Sequence, residues 1–267
     1  MASLRSPPIS CSIGTSTSTL FSSRLRSSTS IPSRRLRRRP IVASHVCVPA
    51  IDKSMLVVSE TLSEDELWAA ACLRVRTFNE FNASAYNIQD HRRYLAEREF
   101  EALKERVSGK REGFRRVSCI NATLPLSQIS IASDDLCSTC KFSDGNEDRV
   151  VVGSLDLNQC RWLPDEITGT KPEGFAADIG RAYLSNVCVA KELHRNGVGY
   201  ELVNKSKKVA ADWGITDMYV HVAVNNEGAK RLYMKSGFVQ ENDEPAWQAR
   251  YLDRPRRLLL WLGLPPS

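Results

Sequence analysis

The stretch from residue 182 to residue 240 constrains this chain more than any other part of it. Ala182 to Val189 (Ala-Tyr-Leu-Ser-Asn-Val-Cys-Val) reads as a strand. A loop from Ala190 to Asn196 follows, and Gly197-Val198-Gly199 opens a helix. That helix places Val198, Leu202, Val203, Val209 and Trp213 on its buried side and ends at Gly214, a fitting residue just past a helix C-terminus. Next come a strand from Met218 to Val224, Asn225-Asn226 as turn and N-cap, a short helix from Glu227 to Ser236 stopped by Gly237, and Phe238-Val239 starting a further strand.

A strand, a glycine-containing turn and a helix N-terminus together make an anion site. The first helical turn presents unpaired N–H groups, and the helix dipole adds about half a positive charge. Taken alone, Gly197 and Gly199 fit an ordinary tight turn better than a phosphate loop, and Tyr233 fits a half-buried packing residue better than a catalytic one. Two other phosphate loops are excluded: Gly197-Val198-Gly199 is not followed by the Gly-Lys-Ser/Thr of a P-loop nucleotidase, and the third glycine of a dinucleotide fold is missing.

The joint placement of two motifs goes further. His194-Arg195-Asn196-Gly197-Val198-Gly199 resembles the Gln/Arg-x-x-Gly-x-Gly/Ala loop of the GNAT acetyltransferases, with His194 where Gln or Arg is usual and Arg195 beside it as a second source of charge. Downstream, Asn226-x-x-Ala229-x-x-Leu232-Tyr233-x-x-x-Gly237-Phe238 resembles that family's second signature. The match covers about 150–240. It implies an α/β (α+β) fold, with a central mixed, mostly antiparallel twisted sheet flanked by helices and splayed at the acetyl-CoA site. It also implies a cofactor site made of Val187, Cys188 and Val189 on the strand, Arg195, Asn196, Gly197, Val198, Gly199 and Tyr200 at the loop, and Asn226, Glu227, Gly228 and Tyr233 on the second helix. No metal is expected.

Acetyl transfer to an amine needs a neutral nitrogen, a polarised thioester carbonyl and a proton for the leaving thiolate. The resemblance implies that backbone N–H groups of Asn186 to Val189 serve the carbonyl and the pantetheine arm, and that Tyr233 protonates the sulfur. His221, in Tyr219-Val220-His221-Val222, matches a base used by some members; its alternative is a strand histidine satisfied by a neighbour, with Glu192 and Asp178 as other candidate bases. Cys188 is not expected to carry the acyl group.

An α-amine has pKa ~7.7–8 and lysine ~10.4, so near pH ~8 direct attack favours protein N-termini by roughly two orders of magnitude. The chain resembles plastid members that modify both protein N-termini and lysines, and dual acetylation of plastid proteins is the expectation. The rivals are a small-amine acetyltransferase with an acidic pocket at Asp165, Glu166 and Asp178, a non-catalytic acetyl-CoA-binding module, and a nucleic-acid binder.

Charge bears on the last of these. Of the net +6, eight arginines lie in residues 1–51, which hold no lysine or acid; without them the formal charge is −2. A near-neutral body speaks against nucleic acid. The same segment is crowded with Ser and Thr and has no continuous apolar core, the composition of an organelle import signal rather than a secretory one. Its Met-Ala-Ser start and Ile41-Val42-Ala43-Ser44 resemble chloroplast signals, with cleavage near Ala43 and delivery to the stroma; the other reading is a disordered basic tail. We therefore expect residues 1–50 to be a disordered transit peptide and 51–267 a single domain.

No apolar run approaches the ~20 residues of a membrane span. Eight cysteines include one close pair, Cys137 and Cys140, which lacks the further ligands of a zinc site and reads as reduced thiols.

The remaining elements read as a helix capped by Ser63-Glu64-Asp65-Glu66, carrying Leu67, Ala70, Ala71, Val75 and Phe78; a polar helix from Gln89 to Val107 ending at Gly109; and strands at Phe114–Ile120, Val150–Leu157 and Arg257–Leu262. Residues 121–148, rich in Ser and Asp, read as a surface insertion or a partly disordered loop, and 160–180 as a loop bearing on substrate selectivity. The oligomeric state stays open.

Overall fold

The computed structural model describes residues 51–265 apart from 62, 83–85, 111–112, 130–133, 146 and 161–179. The expected transit peptide and nearly all of the 160–180 loop, with Asp165, Glu166 and Asp178, lie outside the described residues.

The chain enters through a 3-10 turn, Lys53–Met55, and a short strand, β1 (Val57–Glu60). Helix α1 (Glu64–Phe78) starts where the sequence places it: Ser63 Oγ accepts from the Glu66 amide at 3.2 Å, and Glu64, Asp65 and Glu66 fill the first turn, where the helix dipole favours acids. Helix α2 (Ile88–Val107) runs against α1 with only Ala96 and Leu103 buried, as its polar sequence requires. Then come β2 (Phe114–Pro125), short helices α3 (Leu126–Ile129) and α4 (Asp134–Thr139), and the hairpin of β3 (Lys141–Asp144) and β4 (Glu147–Cys160). The motif region supplies β5 (Arg181–Val189), α5 (Val198–Asp212), β6 (Asp217–Ala223), α6 (Glu227–Lys235) and β7 (Val239–Asp243). Helix α7 (Ala246–Tyr251) and β8 (Arg257–Gly263) complete it.

The eight strands form one sheet in the order β1-β2-β4-β5-β6-β8-β7, with β3 on β4. Among the described residues β5 and β6 are the one parallel pair. The expected mixed, mostly antiparallel sheet flanked by helices is present. Successive residues of a strand face opposite sides, and β4 shows the two layers: Gly153 backs onto Leu202 and Val198 of α5, whereas Ser154 accepts from the Arg74 guanidinium of α1. The two helices therefore cover opposite faces. No helix among the described residues is long and apolar enough to cross a membrane.

The described part of residues 121–148 is not a long loop. Asn121 to Pro125 continue β2, and the rest of the segment is largely α3, α4 and the β3–β4 hairpin, turned at Gly145 with φ +62°. Composition misled here because buried polar side chains in β2 are satisfied internally: the Asn121 amide donates to Thr61 Oγ1 at 2.5 Å and to Glu66 Oε1 at 3.0 Å, and Thr123 accepts from Arg149. The acids of 134–148 instead make surface pairs, such as Asp148 with Lys141. Trp213 is half-buried rather than core, with the Arg116 guanidinium 5.7 Å from its ring centroid.

The sheet opens at one place. Parallel pairing runs from Arg181 opposite Asp217 to Leu184 opposite Val220 and ends there. Beyond it β5 stays with β4, with Cys188 opposite Ser154, while β6 stays with β8, with His221 opposite Leu259. Between the Ser154–Cys188 and Asp156–Ser185 pairs β5 carries one extra residue, a bulge. Asn186 sits in it at φ +53°.

Candidate functional site

The loop after β5 is built from short-range bonds. The Ala190 amide donates to Val152 O at 2.8 Å and the Leu193 amide to Ala190 O at 3.0 Å, closing a 3-10 turn over buried Leu193. Arg195 at φ +69° and Gly197 at φ +86° then turn the chain into α5. The Tyr200 and Glu201 amides reach back to Gly197 O at 2.9 and 3.1 Å, so those of Val198 and Gly199 have no intrahelical acceptor. An oxyanion in front of this turn would meet open N–H groups and the positive end of a 15-residue helix.

The two motif glycines serve different ends. Gly197 provides the left-handed backbone. Gly199 provides space: a Cβ there would lie 3.2 Å from Leu232 Cδ2 of α6. Its bareness lets Leu232 of α6 settle against the first turn of α5.

His194 is exposed, and its Nε2 lies 3.1 Å from Val189 O. A carbonyl only accepts, so Nε2 carries the proton and the ring ties the loop to the strand end. Asn196 braces the same loop through the carbonyls of Leu193 and His194. The base of the loop is clamped by Arg76, which bonds Glu192 at 2.5 and 3.1 Å and Asp135 at 2.7 Å. Glu192 is thereby committed to an ion pair.

Asn226 caps α6, its Oδ1 accepting from the Ala229 amide at 3.0 Å; Glu227 and Gly228 are exposed in the first turn. Glu227 pairs with Lys230. Tyr200 lies under Lys235, whose Nζ is 5.2 Å from the ring centroid. Tyr233 is buried edge-on against Phe238. Burial, and then the neighbouring Tyr183, push its phenol well above the ordinary range, so it keeps its proton throughout physiological pH.

His221 lies just past the last parallel rung, half-buried, with Nδ1 3.1 Å from the Tyr183 hydroxyl. The alternative read from the sequence, a histidine with a neighbour, is thus also realised: the neighbour is Tyr183. Sequence reading missed this tyrosine. Its one available signal was its place on the strand leading into the loop. Its meaning comes from the parallel register, which sets Tyr183 opposite Tyr219 and so one alternation from His221.

Val187, Cys188 and Val189 line the parted edge of β5 after the bulge. The Cys188 thiol is buried and pushed up to about 12 by that burial, against the pull of Arg74, so it remains a neutral thiol. Behind it Asp156, fully buried, pairs with Arg74 at 2.6 Å and accepts from the Asn186 amide at 2.8 Å. Among the described residues no cluster of three or more His, Cys, Asp or Glu is placed to hold a metal.

This geometry can be set beside known proteins. Residues 118–238 match the Acetyltransferase (GNAT) family. The chain is 79% identical over 243 residues to "GCN5-related N-acetyltransferase 7, chloroplastic" of Arabidopsis thaliana, covering 91% of this chain and 89% of that protein. The chain belongs to the GNAT acetyltransferase family. Within the family it is also 29% identical over 190 residues to "GCN5-related N-acetyltransferase 6, chloroplastic" of the same plant, covering 68% of this chain and 61% of the relative. Both relatives are named as chloroplastic, in agreement with the import signal read in residues 1–51. Among solved structures, the PaiA N-acetyltransferase of Thermoplasma acidophilum in complex with coenzyme A aligns at 14% identity and a TM-score of 0.46, over 78% of this GNAT chain and 99% of that one.

Proposed function

We propose that this GNAT protein is an acetyl-CoA-dependent protein N-acetyltransferase of the chloroplast stroma, acting on N-terminal α-amines and on lysine ε-amines. The observation that carries the reading is the meeting of Tyr183, His221 and Tyr233 where β5 and β6 part. A proton acceptor and a proton donor flank the gap beside the loop that fits a diphosphate.

Acetyl-CoA supplies the acetyl group as a thioester, with the thiol as leaving group. The open amides of Val198 and Gly199 hold its diphosphate, with Arg195, Asn196 and Tyr200 around them, and the capped start of α6 at Asn226 to Gly228 borders the arm. Backbone groups of Val187 to Val189 orient the reacting carbonyl; a donor of this kind contributes ~2.7–4 kcal/mol to transition-state stabilisation. With Nδ1–H directed to the Tyr183 oxygen, Nε2 is the His221 nitrogen that takes the amine's proton through a water. Tyr233, protonated at working pH, donates toward the leaving sulfur.

The preference for α-amines comes from acidity. An N-terminus with pKa ~7.7–8 is about half neutral near pH ~8, whereas lysine at ~10.4 is under ~1% neutral. Incubating the full chain with acetyl-CoA and a mixture of stromal peptides, and reading the products by mass spectrometry, tests the proposal. Acetylated α-amines, with fewer acetylated lysines, are expected. Acetylation of free small amines alone would replace it with a small-amine transferase.

A further inference from the structure

The 3-10 turn at the start of the described chain puts a lysine over the loop. A Cβ built on Gly197 would lie 3.5 Å from Lys53 Nζ and 4.0 Å from its Cε. The turn is held from three sides. Asp52 Oδ1 accepts from the Ser54 amide at 2.9 Å and hydroxyl at 2.7 Å, Arg149 of β4 donates to Met55 O at 3.3 Å, and Leu56 packs on the core. The nearest acid in sequence, Asp52, is engaged with Ser54, and among the described residues no carboxylate lies within ion-pair distance of Lys53 Nζ.

This arrangement breaks a local rule. A cation belongs at a helix C-terminus, and here an ammonium is brought to the positive end of α5, beside Arg195. Two positive features converge where the one acid of the helix's first turn, Glu201, is exposed, and such conflicts are expected where a ligand resolves them. An anion seated on the Val198 and Gly199 amides supplies the missing charge.

We propose that Lys53 is a binding residue for the diphosphate of coenzyme A, reaching the loop at Gly197. The inference rests on the acetyl-CoA reading above and adds a ligand that neither signature motif contains. Lys53 comes from outside the 118–238 family match.

The test is calorimetric titration of the full chain and its Lys53→Gln and Lys53→Arg variants with CoA and with 3′-dephospho-CoA, at two ionic strengths. Lys53→Gln is expected to weaken CoA binding about tenfold and to flatten its salt dependence, since the lost contact is a screened charge pair. Lys53→Arg should stay near the parent value, and the loss should persist with 3′-dephospho-CoA. The unliganded Lys53→Gln variant should unfold at or slightly above the parent temperature, because a repulsion has been removed, and Lys53→Arg at the parent temperature. Equal affinity of Lys53→Gln and parent overturns the inference while leaving the acetyl-CoA reading intact. Loss of the difference with 3′-dephospho-CoA overturns the diphosphate assignment. A parent chain that binds no CoA overturns the reading itself.

Discussion

The Asn186 side-chain amide donates to Asp156 Oδ2 at 2.8 Å, joining a left-handed residue in the β5 bulge to a carboxylate with no solvent exposure. The same carboxylate is gripped by Arg74 at 2.6 and 3.1 Å and approached by Arg106 at 3.4 Å. The place where the sheet opens is therefore set from inside the protein by a buried ionic cluster.

Asp156→Asn keeps the shape but leaves the Arg74 guanidinium without its main counter-charge. Removing one partner of a buried pair costs about 3–5 kcal/mol, to be read from denaturant unfolding. The pH dependence has a definite sign. Burial alone would raise the Asp156 carboxyl, but Arg74, with Arg106 and the Asn186 amide, outweighs it and holds the group below its ordinary 3.8. Its contribution is present above that value and is lost as pH falls through the depressed folded one. The parent should lose stability in acid over that interval, and Asp156→Asn should lose less.

Asn186→Ala forfeits both the amide bond and the tolerance for positive φ, a cost of about 1–3 kcal/mol. Asn186→Gly keeps the backbone and should fall between Ala and the parent in thermal unfolding. Equal melting temperatures for all three would contradict the role given to this bond.

Tyr233→Phe removes the protonated phenol to which protonation of the leaving sulfur is assigned. Turnover should drop by about a hundredfold or more, while CoA affinity measured by calorimetry stays within twofold. His221→Ala should lower kcat/KM by about a hundredfold or more, and Tyr183→Phe should lower it by less, because the phenol orients the ring.

Gly199→Val puts branched carbon where Leu232 already sits, so α6 must move away from α5. Steady-state kinetics should show kcat falling more than the acetyl-CoA KM rises. Gly197→Ala strains a backbone at φ +86° and should act in the opposite sense, raising KM first.

Cys188→Ala should retain most activity, and the parent should resist iodoacetamide at pH 8 at this position. A buried thiol held near 12 is neither nucleophile nor ready target.

The sequence disclosed the elements whose periodicity is their own. Ser63 and its three acids mark the start of α1, and Gly197 and Gly214 bracket α5, because caps and turns are local chemistry. It concealed what distant partners decide. Asn121 and Thr123 look like loop residues until Thr61, Glu66 and Arg149 are folded against them. Strand β1 is four residues long and only partly buried, and α7, opened by Pro245, exposes Trp247 and Tyr251, so neither carries a periodic signature. In the site, the motif residues were legible. The pairing of Tyr183 with His221 and the reach of Lys53 arise from tertiary geometry alone.

Strand β6, which bears His221, is closed on one side only by β8, and β8 comes after every other strand in the chain. Until Arg257 to Gly263 are available, the half-built sheet presents an unpaired apolar border at the seam beside His221, a template for aggregation. Trimming even these few residues should therefore yield an insoluble protein rather than a slower enzyme.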